Sequence, residues 1–203
     1  VIPRTIRRVA FVFPVLAAVP VALAAPGPRE RPTGPIYAPT AVGDRLVYDA
    51  FGTEITETVT AITEDGRARV VTTEGVAAGR GSVGESRLRV APDGVFRVAA
   101  AGPDDPPHCL LRLPAVAGTK WEYEVRPGGG RPALKGMSVV AGEEEVAVPA
   151  GKYKAVRVDS EHPGPGGRPV RSTAWYAASV GMVKTVYGAD KAIVLKSFTP
   201  GKK

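Results

Sequence analysis

Trp121-Glu122-Tyr123-Glu124-Val125-Arg126 sets one apolar or aromatic side chain against one charged side chain at every step. A period of two is the signature of an extended strand, which sends successive side chains to opposite faces. One face of such a strand meets a core and the other meets water, as in antiparallel rather than buried parallel sheets. The same alternation recurs in Ser86-Arg87-Leu88-Arg89-Val90 and in Lys154-Ala155-Val156-Arg157-Val158-Asp159.

Turn signals separate these runs. Glu64-Asp65-Gly66-Arg67 joins TETVTAIT to ARVVTT, and Pro92-Asp93-Gly94 joins SRLRVA to VFRVAA. Asp-Gly between alternating runs marks a hairpin, because glycine accepts the positive φ of a tight turn. Pro149-Ala150-Gly151 and Gly188-Ala189-Asp190 read as further hairpin ends. No apolar stripe of helical period runs through residues 42–203, and the 24 glycines and 20 prolines punctuate short elements. With 44% hydrophobic residues in a chain of 203, a core is affordable and general disorder is excluded. The fold expected is mainly β: a strongly curved antiparallel sheet or half-barrel of meandering hairpins with little helix.

The N-terminus reads as a leader. Arg4, Arg7 and Arg8 precede an apolar stretch of 15 residues, Val9 to Leu23, and Ala22-Leu23-Ala24 supplies a small-x-small cleavage signature. A bilayer-spanning helix needs about 20 apolar residues. We therefore expect residues 1–24 to be a cleaved signal peptide, 25–41 a Pro-rich linker, and 42–203 a β-rich domain. An exported bacterial protein, periplasmic or extracellular, follows. The opening Val42-Gly43-Asp44-Arg45-Leu46-Val47-Tyr48 is echoed by Ala117-Gly118-Thr119-Lys120-Trp121-Glu122-Tyr123. Two similar halves, 42–102 and 108–203, sharing one sheet are thus expected, divided near Pro103 to Pro107.

The net charge of +7 loses three of its positive charges with the leader. The remaining basic residues are scattered rather than interleaved with aromatics, which excludes a nucleic-acid reader. Gly79-Arg80-Gly81-Ser82-Val83-Gly84 matches the dinucleotide fingerprint formally, but that motif must feed a helix, and Glu85 to Val90 alternates as a strand. Metal ligation is thin: His108 and Cys109 are adjacent and diverge on a strand, and His162 stands apart beside a proline. Glu143-Glu144-Glu145 reads as a solvated charge run. No cofactor is expected. Cys109 alternates with Leu111 and Leu113, so a buried, inert thiol is expected, and one cysteine closes no intrachain disulfide.

Several segments of the second half carry a family likeness. They are Val148 to Val158 (VPAGKYKAVRV), Ala174-Trp175-Tyr176-Ala177, Val180-Gly181-Met182-Val183-Lys184 and Val194-Leu195-Lys196-Ser197-Phe198, with LLRLP and GTKWEYE upstream. Together they resemble the exported bacterial domain-of-unknown-function 3108-like (TapB-like) proteins over Cys109 to Phe198, and over Val42 to Ala100 by layout alone. The resemblance implies a curved sheet akin to the half-barrels of lipoprotein carriers and brings no catalytic residue.

Two functions are carried forward. The first is a non-catalytic envelope protein that shelters an apolar or lipid-like ligand in its curved sheet, with Trp121, Tyr123, Tyr153, Trp175 and Tyr187 as candidate cavity lining. The second is a structural or interaction protein that contacts an anionic envelope polymer or a protein partner. A hydrolase built on Cys109 and His162 ranks third, since no Ser occupies a nucleophile elbow and only two histidines exist as bases.

Overall fold

The structure is a computed structural model, described here for residues 34–98, 107–125 and 133–202. The leader, the first part of the linker and most of the Pro103 to Pro107 segment lie outside the described residues. Twelve strands follow in chain order: β1 Arg45–Ala50, β2 Thr53–Asp65, β3 Ala68–Ala77, β4 Gly81–Ala91, β5 Gly94–Val98, β6 His108–Arg112, β7 Lys120–Val125, β8 Leu134–Val148, β9 Gly151–Pro163, β10 Pro169–Ala177, β11 Gly181–Tyr187 and β12 Lys191–Thr199. Among the described residues the only helix is one 3₁₀ turn, Pro165–Gly167.

All twelve strands belong to one antiparallel sheet in the order β6-β5-β4-β3-β2-β1-β12-β11-β10-β9-β8-β7. Each half of the chain is a six-strand meander, and β1 joins the two by pairing with β12, from Arg45↔Thr199 to Ala50↔Ile193. The sheet is nearly closed as a barrel, with one unsealed seam between β6 and β7. The expected curved sheet is present and curls further than a half-barrel.

The turns bear out the local chemistry. Gly66, between β2 and β3, has φ 63, and Gly188, between β11 and β12, has φ 60. Phe51 (φ 56) and Gly52 (φ 83) form the β1–β2 turn, a two-residue hairpin loop with both central φ positive. Phe51 is exposed, and its ring lies 6.0 Å from that of Tyr187.

The two echoed openings make the same bonds. Gly43 N–H donates to Val59 O at 2.8 Å, and Val59 N–H donates back to Asp44 O at 2.9 Å. Gly118 N–H donates to Val140 O at 2.8 Å, and Val140 N–H donates back to Thr119 O at 2.9 Å. Val59 and Val140 are both buried, and both second strands are bulged beside them.

One end of the barrel is stoppered. Residues 36–41, assigned by composition to the linker, do not trail away; Tyr37 and Ala38 are buried in the main core with Val71, Val95, Leu111 and Val156. Ser179 N–H holds Ile36 O at 2.6 Å. Asp44, 2% exposed, ties this segment to the C-terminus. Its carboxylate accepts from Thr40 N and Ala41 N at 2.9 Å and from Gly201 N at 2.8 Å. At the same end the tip of the β8–β9 hairpin folds across the sheet, packing Val146 and Ala155 with Leu46, Tyr48, Val183 and Leu195. Ala150 N–H there donates to Leu195 O at 3.2 Å.

Exposed polar pairs occupy both faces of the β8–β9 hairpin. Glu145–Lys152 (3.2 Å) and Glu143–Lys154 (2.8 Å) are cross-strand ion pairs, and Trp175 Nε1–H donates to Glu144 Oε1 at 2.7 Å. The Glu143-Glu144-Glu145 run is therefore a paired set, not merely a solvated one; the alternation that parts neighbouring carboxylates also presents each to a partner on another strand.

Asp44 carries the prediction for this architecture. Replacing Asp44 by Ala leaves three backbone amides without their shared acceptor and costs about 3 kcal/mol in urea unfolding. Asn, which keeps one acceptor oxygen, costs less. Equal stability of Asp44→Ala and the parent would show that the stopper is not held this way.

Candidate functional site

The interior between the stoppered core and the other end of the barrel is not filled. A cavity of about 270 Å³ is walled by β5 to β11, and a smaller one of about 70 Å³ lies deeper, against the stopper. Strand register explains the space. Ser138 on β8, Ser160 on β9, Ser172 on β10 and Tyr187 on β11 are successive partners in one cross-strand row. Three serines in a row where larger side chains would meet leave a hollow. Ser138 Oγ and Ser160 Oγ share a hydrogen bond of 2.8 Å, so the hollow is bordered by satisfied hydroxyls.

The rows on either side are different. Deeper in, Val158, Ala174 and Thr185 are partnered across β9 to β11, followed by Tyr176 and Met182. Nearer the mouth come Tyr123, His162 and Val170, then Val125 paired with Leu134. Leu134, Val170 and Tyr187 are all exposed as well as lining, so they form an apolar rim. Gly136 has a specific duty. A Cβ there would lie 2.5 Å from Tyr123 Cζ and 2.6 Å from Glu161 O, so glycine is the residue that lets the tyrosine ring lie flat over β8.

The unsealed seam runs beside this cavity. Trp121 Nε1–H on β7 donates to Cys109 O on β6 at 3.1 Å, a side-chain bond where a backbone ladder would otherwise run. The rings of His108 and Tyr123 approach to 5.0 Å across the same gap.

Of the residues named from sequence, Tyr123 and Tyr187 line the larger cavity. Trp121 is buried in the core as the seam bond, and Tyr153 packs against the β8–β9 tip cluster. Trp175 is turned to the outward ion pairs, with Lys184 Nζ 5.2 Å from its ring. Its neighbour Tyr176 takes the opposite face, is 6% exposed and lines both cavities. Adjacency fixed that one of the pair faces inward; cross-strand register decides which, because Tyr176 is partnered with the core residue Val156 on β9. The serines and Arg97 went unnamed because small or charged residues at inward positions break the apolar alternation that marks a core face.

Burial governs the titratable groups. It pushes the Cys109 thiol up to about 11, so at neutral pH the sulfur is a protonated thiol rather than a nucleophilic thiolate. It lowers His108 to about 4, helped by the positive charge of Arg97, its cross-strand partner on β5. His162 lines the same cavity and its Nδ1 lies 3.0 Å from Pro163 O. Glu57, which lines the smaller cavity, is raised by burial and drawn back by Arg97. Among the described residues no three His, Cys, Asp or Glu side chains converge on a metal-sized site, and no helix is long and apolar enough to cross a membrane.

No family model matches the chain, and no curated protein does. Two solved structures share its fold. One is a Bacteroides fragilis protein described as a "putative exported protein with YMCC-like fold", 12% identical, with a TM-score of 0.55 over 82% of this chain and all of that one. The other is a "putative lipoprotein" from Parabacteroides distasonis, 12% identical, with a TM-score of 0.50 over 81% of this chain and 99% of that one. At that identity the likeness is one of fold.

His108 generates a pH prediction. Its pKa is near 6.5 in the unfolded chain and about 4 in the fold, so between those values the unfolded chain binds the extra proton. Stability therefore falls as pH drops from about 6.5 toward 4, by about 2 kcal/mol once the partial solvent access of the ring is allowed for. Urea midpoints across that window check this. His108→Gln should flatten the slope, and an unchanged slope would remove His108 as its source.

Proposed function

We propose that this chain is an exported, non-catalytic envelope protein that takes the apolar part of a small amphiphile into its barrel. The observation that carries the reading is the hollow behind an apolar rim: Leu134, Val170 and Tyr187 at the mouth, Leu110, Val158, Ala174 and Met182 within. Such a site, mostly apolar with a few placed polar groups, is what small-molecule binding requires. Its volume lies just under the usual range of about 300–1,000 Å³, which suits a single short chain better than a whole two-chain lipid. The leader-like N-terminus, the resemblance to exported 3108-like proteins and the likeness in fold to a "putative exported protein" and a "putative lipoprotein" support export.

Contact with an anionic envelope polymer draws less support from the surface. Lys152, Lys154, Arg171 and Lys196 are each engaged by an acid on another strand, at 3.2, 2.8, 2.7 and 2.7 Å. Exposed pairs of this kind leave little net attraction for a polyanion. Catalysis by Cys109 and His162 is disfavoured by the protonated thiol.

The test is to fill the hollow. Ala174→Phe projects a ring into the space between Val158 and Thr185. An apolar fluorescent probe should bind the parent and lose at least about tenfold in affinity to this variant, as expected for an occluded apolar site. Circular dichroism confirms that the variant is folded. A probe that binds both forms equally would place apolar binding elsewhere, and a parent that binds none would end the reading.

A further inference from the structure

Arg97 sits where the two cavities meet. It lines the larger one with His108, Tyr176 and Met182, and it lines the smaller one with Glu57 and Leu110. The strand places it there: Val95 is buried in the core, and Arg97, two residues on, projects to the same face of β5. Arg97 is solvent-exposed as well as lining both cavities, and among the described residues its guanidinium makes no hydrogen bond and no ion pair within 4.0 Å. That sets it apart from Arg69, Arg87, Arg157 and Arg171, each of which bonds a carboxylate. A guanidinium facing a partly apolar hollow without a partner is an open position for a planar anion, which it holds through parallel N–H donors.

The surroundings restrict where that anion sits. Glu57 faces Arg97 from the small-cavity side, so an acid placed there would meet a second carboxyl group. On the large-cavity side Arg97 is partnered with His108 across β5 and β6, and the tyrosines 123, 176 and 187 and His162 complete the polar wall. No carboxylate lines that cavity.

We propose that Arg97 anchors the acidic end of a single-chain carboxylate amphiphile in the larger cavity, with the apolar chain running past Val158 and Ala174 toward the rim. This rests on the amphiphile reading above and names its polar end.

The experiment compares decanoate, decanol and decyltrimethylammonium by calorimetry on the parent, Arg97→Met and Arg97→Lys. Decanoate should bind the parent at least about tenfold more tightly than decanol, the effect expected of a charge-assisted hydrogen-bonded pair, with the ammonium compound weakest. Arg97→Met should abolish the preference for the acid, bringing decanoate and decanol to equal affinity, and Arg97→Lys should keep part of it. Equal affinity of acid and alcohol for the parent, or an acid preference that survives in Arg97→Met, would overturn the anchor while leaving amphiphile binding intact. Failure of every probe to bind the parent would overturn both.

Discussion

The pairing of β1 with β12 is the constraint on which everything else rests. It brings residues 45–50 against residues 193–199, almost the whole chain apart, and turns two six-strand meanders into one curled sheet. All other described strand pairings join neighbours in sequence and cost little loop entropy; this one must order the ends of the chain before it is rewarded. The structure reinforces it locally. Asp44, immediately before β1, gathers amides from the stopper and from Gly201 beyond β12, so sheet closure and the sealing of one barrel end are a single event.

Closing the sheet at β1/β12 leaves its two free edges, β6 and β7, facing one another. A full backbone ladder between them would complete the barrel, and exposed edges are usually shielded in some way. Here side chains bridge the gap: the Trp121 indole reaches the Cys109 carbonyl, and the His108 and Tyr123 rings meet at a tilt of 40°. The large cavity lies along this seam because β6 and β7 supply part of its wall. A barrel with one side-chain-latched join thus has a hollow whose wall is less uniformly bonded than the rest.

The polarity of the hollow is layered by register. An apolar rim, a row of serine hydroxyls and an apolar floor follow one another because residues two apart on each strand face the same way and antiparallel pairing lines them up. The same register puts Arg97 beside His108 and lets its charge reach Glu57 from the opposite side.

Much of this fold is written in single strands. Alternation over Trp121 to Val125 and Lys154 to Asp159 fixed strand character, Asp65-Gly66 fixed a hairpin, and the HCLLRLP pattern fixed a buried thiol, because each depends on the geometry of a few consecutive residues. Residues 36–41 show the limit: with the proline-rich stretch before them they read as a linker in isolation, and only the open end of a curled sheet gave Tyr37 and Ala38 somewhere to be buried. Trp175 and Tyr176 show it again, since period two separates them without saying which side is inside. Which sheet edges meet, how serines from three successive strands fall into one row, and that Arg97 lines a hollow with no protein partner were decided by tertiary structure. Those facts are sums over cross-strand register and bulges, and register is a relation between segments that no one segment contains.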